Sequence, residues 1–174
     1  MISLGVDPST KTGVAVVNGG KVLHTSRIEA KGLTGLHRAG HIAAQLMSVI
    51  ERNRPDLVVF EGYGYANTHT LVTLVEIGTV LRYFVTQSGL EYVDVPPTSL
   101  KKFVTGKGNA KKETMILETY KRFDVEVATN DEADAIGLAM FGQALLGKVM
   151  LPKSHMEAVD KLAINCQKVL TKLG

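Results

Sequence analysis

The sequence predicts an α/β chain on a five-stranded mixed sheet, its first three strands antiparallel, flanked by helices. Three observations point there. Three short apolar or alternating runs open the chain, separated only by turn signals. Two more strand-like runs follow, each after a stretch with helical spacing, the pattern of parallel crossovers. No internal repeat, low-complexity tract or linker breaks the 174 residues, so residues 1–174 read as a single domain.

The elements follow in order. ISLGVD is the first strand and TGVAVVN the second, joined by the turn from Pro8 to Gly13. Gly19-Gly20 is a hairpin turn into a third strand, KVLHTSRIE. Leu36, Ala39, Gly40, Ala43, Met47 and Ile50 fall at helical spacing, and Pro55 stops that helix. DLVVFEG has the continuous apolar character of a strand buried on both faces. Leu71, Leu74, Val75, Gly78, Leu81 and Val85 mark a second helix, and EYVDV a fifth strand ended by Pro96-Pro97. Asn109 is the expected cap of a helix running through Phe123, and Asn130 of another closing at Gly147. A last helix, about residues 154–172, opens on the capping-box pattern Ser154-x-x-Glu157 and reads as an extension of the domain.

Composition excludes several classes. One cysteine, Cys166, allows no intrachain disulfide framework, and the start lacks a basic segment followed by an apolar one. No apolar run is long enough to cross a bilayer. The expected location is therefore the cytoplasm, with no membrane partner. Net charge is only +3, but it is uneven. Between Thr98 and Arg122, Lys101, Lys102, Lys107, Lys111, Lys112, Lys121 and Arg122 stand against Glu113 and Glu118. Positive charge packed into one stretch points to an anionic ligand there.

Two apolar strands end on a carboxylate beside a turn: Asp7 before PSTKTG, and Glu61 before Gly62. Asp131 and Asp134, in NDEADAIGLA, are three apart and share a helix face. Each acid alone suits a turn or a helix start. A helix packed across the first and fourth strands would gather all four. Four gathered carboxylates repel and need cations. An all-oxygen set without His or Cys suits Mg²⁺, with Mn²⁺ able to substitute, and two such ions suit displacement at phosphorus.

With these residues in place, the chain resembles the RuvC family of Holliday junction resolvases, particularly its shorter phage members, within the RNase H-like (retroviral integrase-like) fold. The matching segments are GVDPSTKTGVAV, VVFEG, VTGKGNAKKE and DEADAIGLA. The resemblance implies a metal-dependent endonuclease cutting Holliday junctions, and forks or three-way junctions besides, leaving 5′-phosphate ends. It implies a homodimer, in the cytoplasm of a bacterial or phage-infected host cell. The family's four metal-binding acids fall on Asp7, Glu61, Asp131 and Asp134, and Lys112 joins them as a catalytic residue. Glu132 is an additional acid with no assigned role.

Lys101 and Lys112 match basic residues of the family that touch the DNA backbone, and Lys102, Lys107 and Lys111 extend that charge. GKGNAKK does not have the spacing of a nucleotide-binding P-loop. Tyr63 and Tyr65 flank Gly64, the position aligned with a family aromatic that stacks on a base; local loop packing is the equal alternative. The apolar stripe of the second helix, Leu71–Val85, is the expected dimer surface. His37 and His41, four apart without a third ligand, read as a solvated face, and Cys166 as core. Two other functions stay open: a catalytically inactive branched-DNA-binding module, and a fragment of an actin-like phosphotransferase.

Overall fold

The computed structural model describes residues 1–64 and 68–173, with side chains at 68 and 69 outside the description. Five strands form one sheet: β1 (Ile2–Asp7), β2 (Lys11–Asn18), β3 (Lys21–Glu29), β4 (Leu57–Glu61) and β5 (Tyr92–Val95). Their order is β3-β2-β1-β4-β5. β1–β2 and β2–β3 are antiparallel, while β1–β4 and β4–β5 are parallel. The mixed sheet is thus as the sequence predicts. Gly19 and Gly20 have φ of +57° and +81°, the twist a two-residue hairpin requires.

Two helical layers cover the sheet. On one face, α1 (Gly35–Asn53) and α2 (Thr68–Gln87) pack over Leu4, Val6, Val14, Val16, Val58 and Phe60. Leu36 is 73% exposed, so the stripe expected to begin there is rotated. Its buried members are Ala39, Ile42, Ala43, Leu46, Val49 and Ile50. In α2, Ile77, Leu81 and Val85 are buried in this core, whereas Val72, Val75, Tyr83 and Phe84 remain exposed. Half of the stripe nominated for a dimer is therefore spent inside the protomer.

The other face carries α3 (Pro97–Thr105), α4 (Lys112–Phe123), α5 (Asn130–Leu145), α6 (Lys153–Asn165) and α7 (Gln167–Leu173). Pro97 begins α3 instead of merely ending β5, because proline suits the first helical turn. Most of the basic segment from Thr98 to Arg122 is thus helix, in α3 and α4, with Leu100, Phe103 and Val104 buried beneath α3. α4 starts at Lys112, after an extended Lys111, and not from a cap at Asn109. α5 is capped by Thr129, whose side chain accepts from the Glu132 amide while Glu132 accepts from the Thr129 amide. This capping box displaces the cap expected at Asn130 and gives Glu132 a structural task. The expected capping box at Ser154 does not form. Glu157 reaches across to Lys102 instead, at 2.5 Å. The terminal segment also breaks at Cys166 into α6 and α7, so that Leu162, Cys166, Val169 and Leu173 all rest against one core. Among the described residues, no helix is long and apolar enough to cross a membrane.

Candidate active site

The position of α5 sets the site. Ser3, Gly5 and Asp7 occupy alternate positions of β1, so they share one sheet face. Ser3 Oγ donates to the Ala139 carbonyl at 2.7 Å. A Cβ on Gly5 would lie 2.1 Å from the Ala135 carbonyl oxygen. Two strand residues advance about 6.6 Å and four helical residues about 6 Å. Helix and strand therefore stay in step, running antiparallel, and the next step sets Asp7 beside Asp131.

Close approach depends on missing side chains. A Cβ on Gly13, opposite Asp7 in β2, would lie 2.1 Å from the Asp131 carbonyl oxygen. The far end of α5 is fixed by buried Gln143, which donates to Ser3 Oγ at 2.9 Å and accepts from the Gly19 amide at 2.7 Å. Glu61 follows Phe60, which pairs with Val6, so the two strand-end acids are neighbours on parallel strands. The turn after Asp7 is tied internally, Thr12 Oγ1 donating to the Ser9 carbonyl at 2.7 Å.

Asp7, Glu61, Asp131 and Asp134 line one cavity of about 310 Å³, and Lys101 and Lys112 line it with them. Burial pushes the Asp7 carboxyl well above its ordinary value, and the charges of Glu61 and Asp131 push it further. The two side chains of Asp7 and Glu61 are also coupled through a hydrogen bond. Glu61 is pushed up to about 7, first by burial and then by Asp134. Asp134 is likewise raised to about 7 by burial, then by Asp7 and Asp131. Lys101 and Lys112 oppose both shifts without cancelling them. Arg27 Nη1 stands 4.0 Å from Asp131 Oδ2.

The donor set fits hard divalent cations. It is all oxygen, it holds more negative charge than its lysines offset, and buried Asn130 Oδ1, on the same cavity wall, has no hydrogen-bond partner. Among the described residues, no three His, Cys, Asp or Glu side chains are already drawn into a ligand cluster.

The other expected site residues scatter. Lys107 and Lys111 are exposed and outside the cavity lining, and Lys102 is held by Glu157. Tyr63 lines the cavity and is 45% exposed. Tyr65 lies outside the described residues. His37 and His41 are exposed, and Cys166 is half-buried. Sequence reasoning missed Gly5 and Gly13, whose role needs the strand and helix partners. It also missed α3, for which Pro97 followed by the Leu100, Phe103, Val104 spacing was the available signal.

Residues 3–141 match the family described as crossover junction endodeoxyribonuclease RuvC. The protein of that name from Parafrankia sp. (strain EAN1pec) is 32% identical over 148 residues, 79% of this chain and 83% of that protein. The one from Brachyspira hyodysenteriae (strain ATCC 49526 / WA1) is 26% identical over 147 residues, 80% of this chain and 92% of that protein. The solved structure of T. thermophilus RuvC in complex with Holliday junction substrate shares the fold, with TM-score 0.73 and 23% identity. It covers 85% of this chain and 95% of that chain. α6 and α7 lie beyond the family match.

Proposed function

The chain belongs to the RuvC family of crossover junction endodeoxyribonucleases, and on that premise we propose a metal-dependent, structure-selective DNA endonuclease. Its substrates are Holliday junctions and other branched DNA, including forks and three-way junctions, in recombination or phage DNA processing. The observation that carries this reading is the convergence of four carboxylates on one cavity flanked by two lysines.

Asp7, Glu61, Asp131 and Asp134 hold the metal. When bound, two Mg²⁺ ions, or Mn²⁺ in their place, supply the charge that activates water and stabilises the leaving oxygen at phosphorus. Lys101 on α3 and Lys112 at the start of α4 bring ammonium groups to the same cavity, where they steady the scissile phosphate. Lys107 and Lys111 extend the backbone-binding rim, and phosphate contacts of this kind position DNA without reading its sequence. Lys102 joins them only by leaving Glu157. The products carry 5′-phosphate and 3′-hydroxyl ends.

Two symmetric nicks need two sites, so the working form is a two-fold homodimer. The exposed face of α2, with Val72, Val75, Tyr83 and Phe84, is its surface. The protein acts in the cytoplasm, where its DNA lies. The presence of all four acids on the cavity disfavours an inactive binding module, and the family match over residues 3–141 disfavours a phosphotransferase fragment.

The test is cleavage of end-labelled synthetic four-way and three-way junctions with Mg²⁺ or with EDTA. Metal-dependent nicks near the branch point are expected. No cleavage of any branched DNA under Mg²⁺ or Mn²⁺ would remove the proposal.

A further inference from the structure

Arg82 is buried in α2, 9% exposed, and does not line the acid cavity. All three of its guanidinium nitrogens are engaged. Nε and Nη2 donate to Asp94 Oδ1 at 2.9 and 2.6 Å. Nη2 also donates to the main-chain carbonyl of Glu61 at 3.1 Å. Nη1 donates to the Gly78 carbonyl at 2.9 Å and to the Tyr63 hydroxyl at 3.4 Å. The guanidinium carbon lies 4.6 Å from the Phe60 ring centroid and 5.0 Å from that of Tyr63. One cation thus joins the end of β4, the tyrosine after it, α2 and β5.

Gly78 supplies an independent observation. A Cβ there would lie 2.7 Å from both Arg82 Nη1 and the Tyr63 hydroxyl oxygen, and 3.1 Å from the edge of the tyrosine ring. Glycine inside a helix is unfavourable relative to alanine. Here it opens the slot into which the arginine and the tyrosine fit. A buried ion pair is also a poor source of stability beside an apolar filling of the same volume. Asp94, half exposed, does not by itself account for sinking a cation in this core. Placement of Glu61 and Tyr63 does.

We propose that Arg82 is a positioning residue that sets the Tyr63 ring against the main chain of Glu61, so that a stacking platform and a catalytic acid keep one fixed relation. This deepens the nuclease reading and rests on it. Tyr63 lines the cavity with Glu61, and the ring surface not covered by Arg82 is accessible. A ring already held loses little freedom when an unpaired base stacks on it. A loose ring would have to be ordered at each encounter.

The test uses Gly78→Ala and Arg82→Lys in the full chain. Each is assayed on a fully paired four-way junction and on one with mismatched bases at the branch point. Gly78→Ala crowds both the ring and Arg82 Nη1, keeps the guanidinium in the chain and favours the helix. It is expected to lose roughly 10- to 100-fold in kcat on the paired junction, the scale of a small misplacement, with KM little changed. Mismatched bases should restore it to about a third of the wild-type rate or better. Arg82→Lys also frees the Glu61 carbonyl, so the mismatch should restore only part. A second readout is the ¹⁹F resonance of 3-fluorotyrosine at position 63 in the metal-free protein, identified with Tyr63→Phe. It should move and sharpen in both variants. Should Arg82→Lys fail to fold, Gly78→Ala carries the test. Wild-type rates for Gly78→Ala on both junctions, or equal losses on both, would overturn the proposal, as would an unmoved resonance. A wild-type protein that cleaves no branched DNA would instead remove the nuclease reading, and the resonance alone would then decide whether the clamp exists.

Discussion

Changing Glu61 to Gln should make the metal-free protein more stable, even as it removes a proposed ligand. Glu61 is raised from 4.5 to about 7 by burial and by Asp134. At 1.36 kcal/mol for each pKa unit, keeping this group ionised in the fold costs about 3 kcal/mol. The folded state holds the proton more tightly than the unfolded state, so metal-free stability falls as pH rises from 4.5 through 7. The amide imitates the protonated acid at every pH. At pH 8 in EDTA the variant should therefore gain up to about 3 kcal/mol, roughly 6–12 °C in Tm for a chain of this size. At pH 4.5 and below the gain should vanish. Thermal unfolding followed by circular dichroism at both pH values reads this directly. Adding Mg²⁺ at pH 8 should stabilise the wild type and leave the variant nearly unmoved. A variant no more stable than wild type at pH 8 in EDTA, or one equally favoured at both pH values, refutes the argument that the cavity stores carboxylate repulsion.

Asp7→Asn should abolish cleavage while junction affinity stays within a few-fold, measured by gel shift beside a nicking assay; near-normal cleavage would remove Asp7 from the ligand set. With divalent ions present, Lys101→Ala and Lys112→Ala should each weaken junction binding and lower the slope of log K against log salt by about one. A slope unchanged in the double variant would place the DNA elsewhere. Gly13→Ala should push the first turn of α5 off β2, since its Cβ would meet the Asp131 carbonyl at 2.1 Å. That overpacking should cost about 1–3 kcal/mol of stability and on the order of 10²-fold in cleavage, and a variant with normal rate and Tm would show the approach to be non-critical. Branched DNA should outcompete linear duplex by on the order of 10²-fold or more, because two sites engage one branch point; equal competition would remove the structure-selective reading.

Much of the fold could be read from the sequence because its signals are local. Gly19-Gly20 announces its hairpin, and the run Leu57–Glu61 its buried strand. The terminal acids could be read because a carboxylate ending an apolar strand is costly unless something compensates it. The rest depended on partners distant in sequence. Glu157 has the spacing of a cap but pairs with Lys102, 55 residues away. Gly5 and Gly13 look like ordinary strand glycines until α5 is laid across them. Arg82 looks like a solvated helix residue because its acceptors lie on the end of β4, on β5 and in its own helix. Leu81 and Val85 belong to an apolar stripe that periodicity cannot assign to core or interface.

The charge balance of the cavity constrains the order of events on DNA. Lys101 and Lys112 both pull Glu61 and Asp134 downward, yet these acids stay at about 7. Burial is the first cause, and the two ammonium groups do not offset it together with the repulsion among the acids. A scissile phosphate entering the metal-free cavity would add one more negative charge to a site already short of cations. Phosphate contacts without metal should thus be confined to the exposed rim at Lys107 and Lys111, where solvent screens the acids. On the proposed reading, Asp7, Glu61, Asp131 and Asp134 would hold divalent ions, whose charge would make the cavity receptive. Separating the acids from the rim in this way would let the protein bind junctions without metal while reserving the approach to the cut for the metal-loaded state.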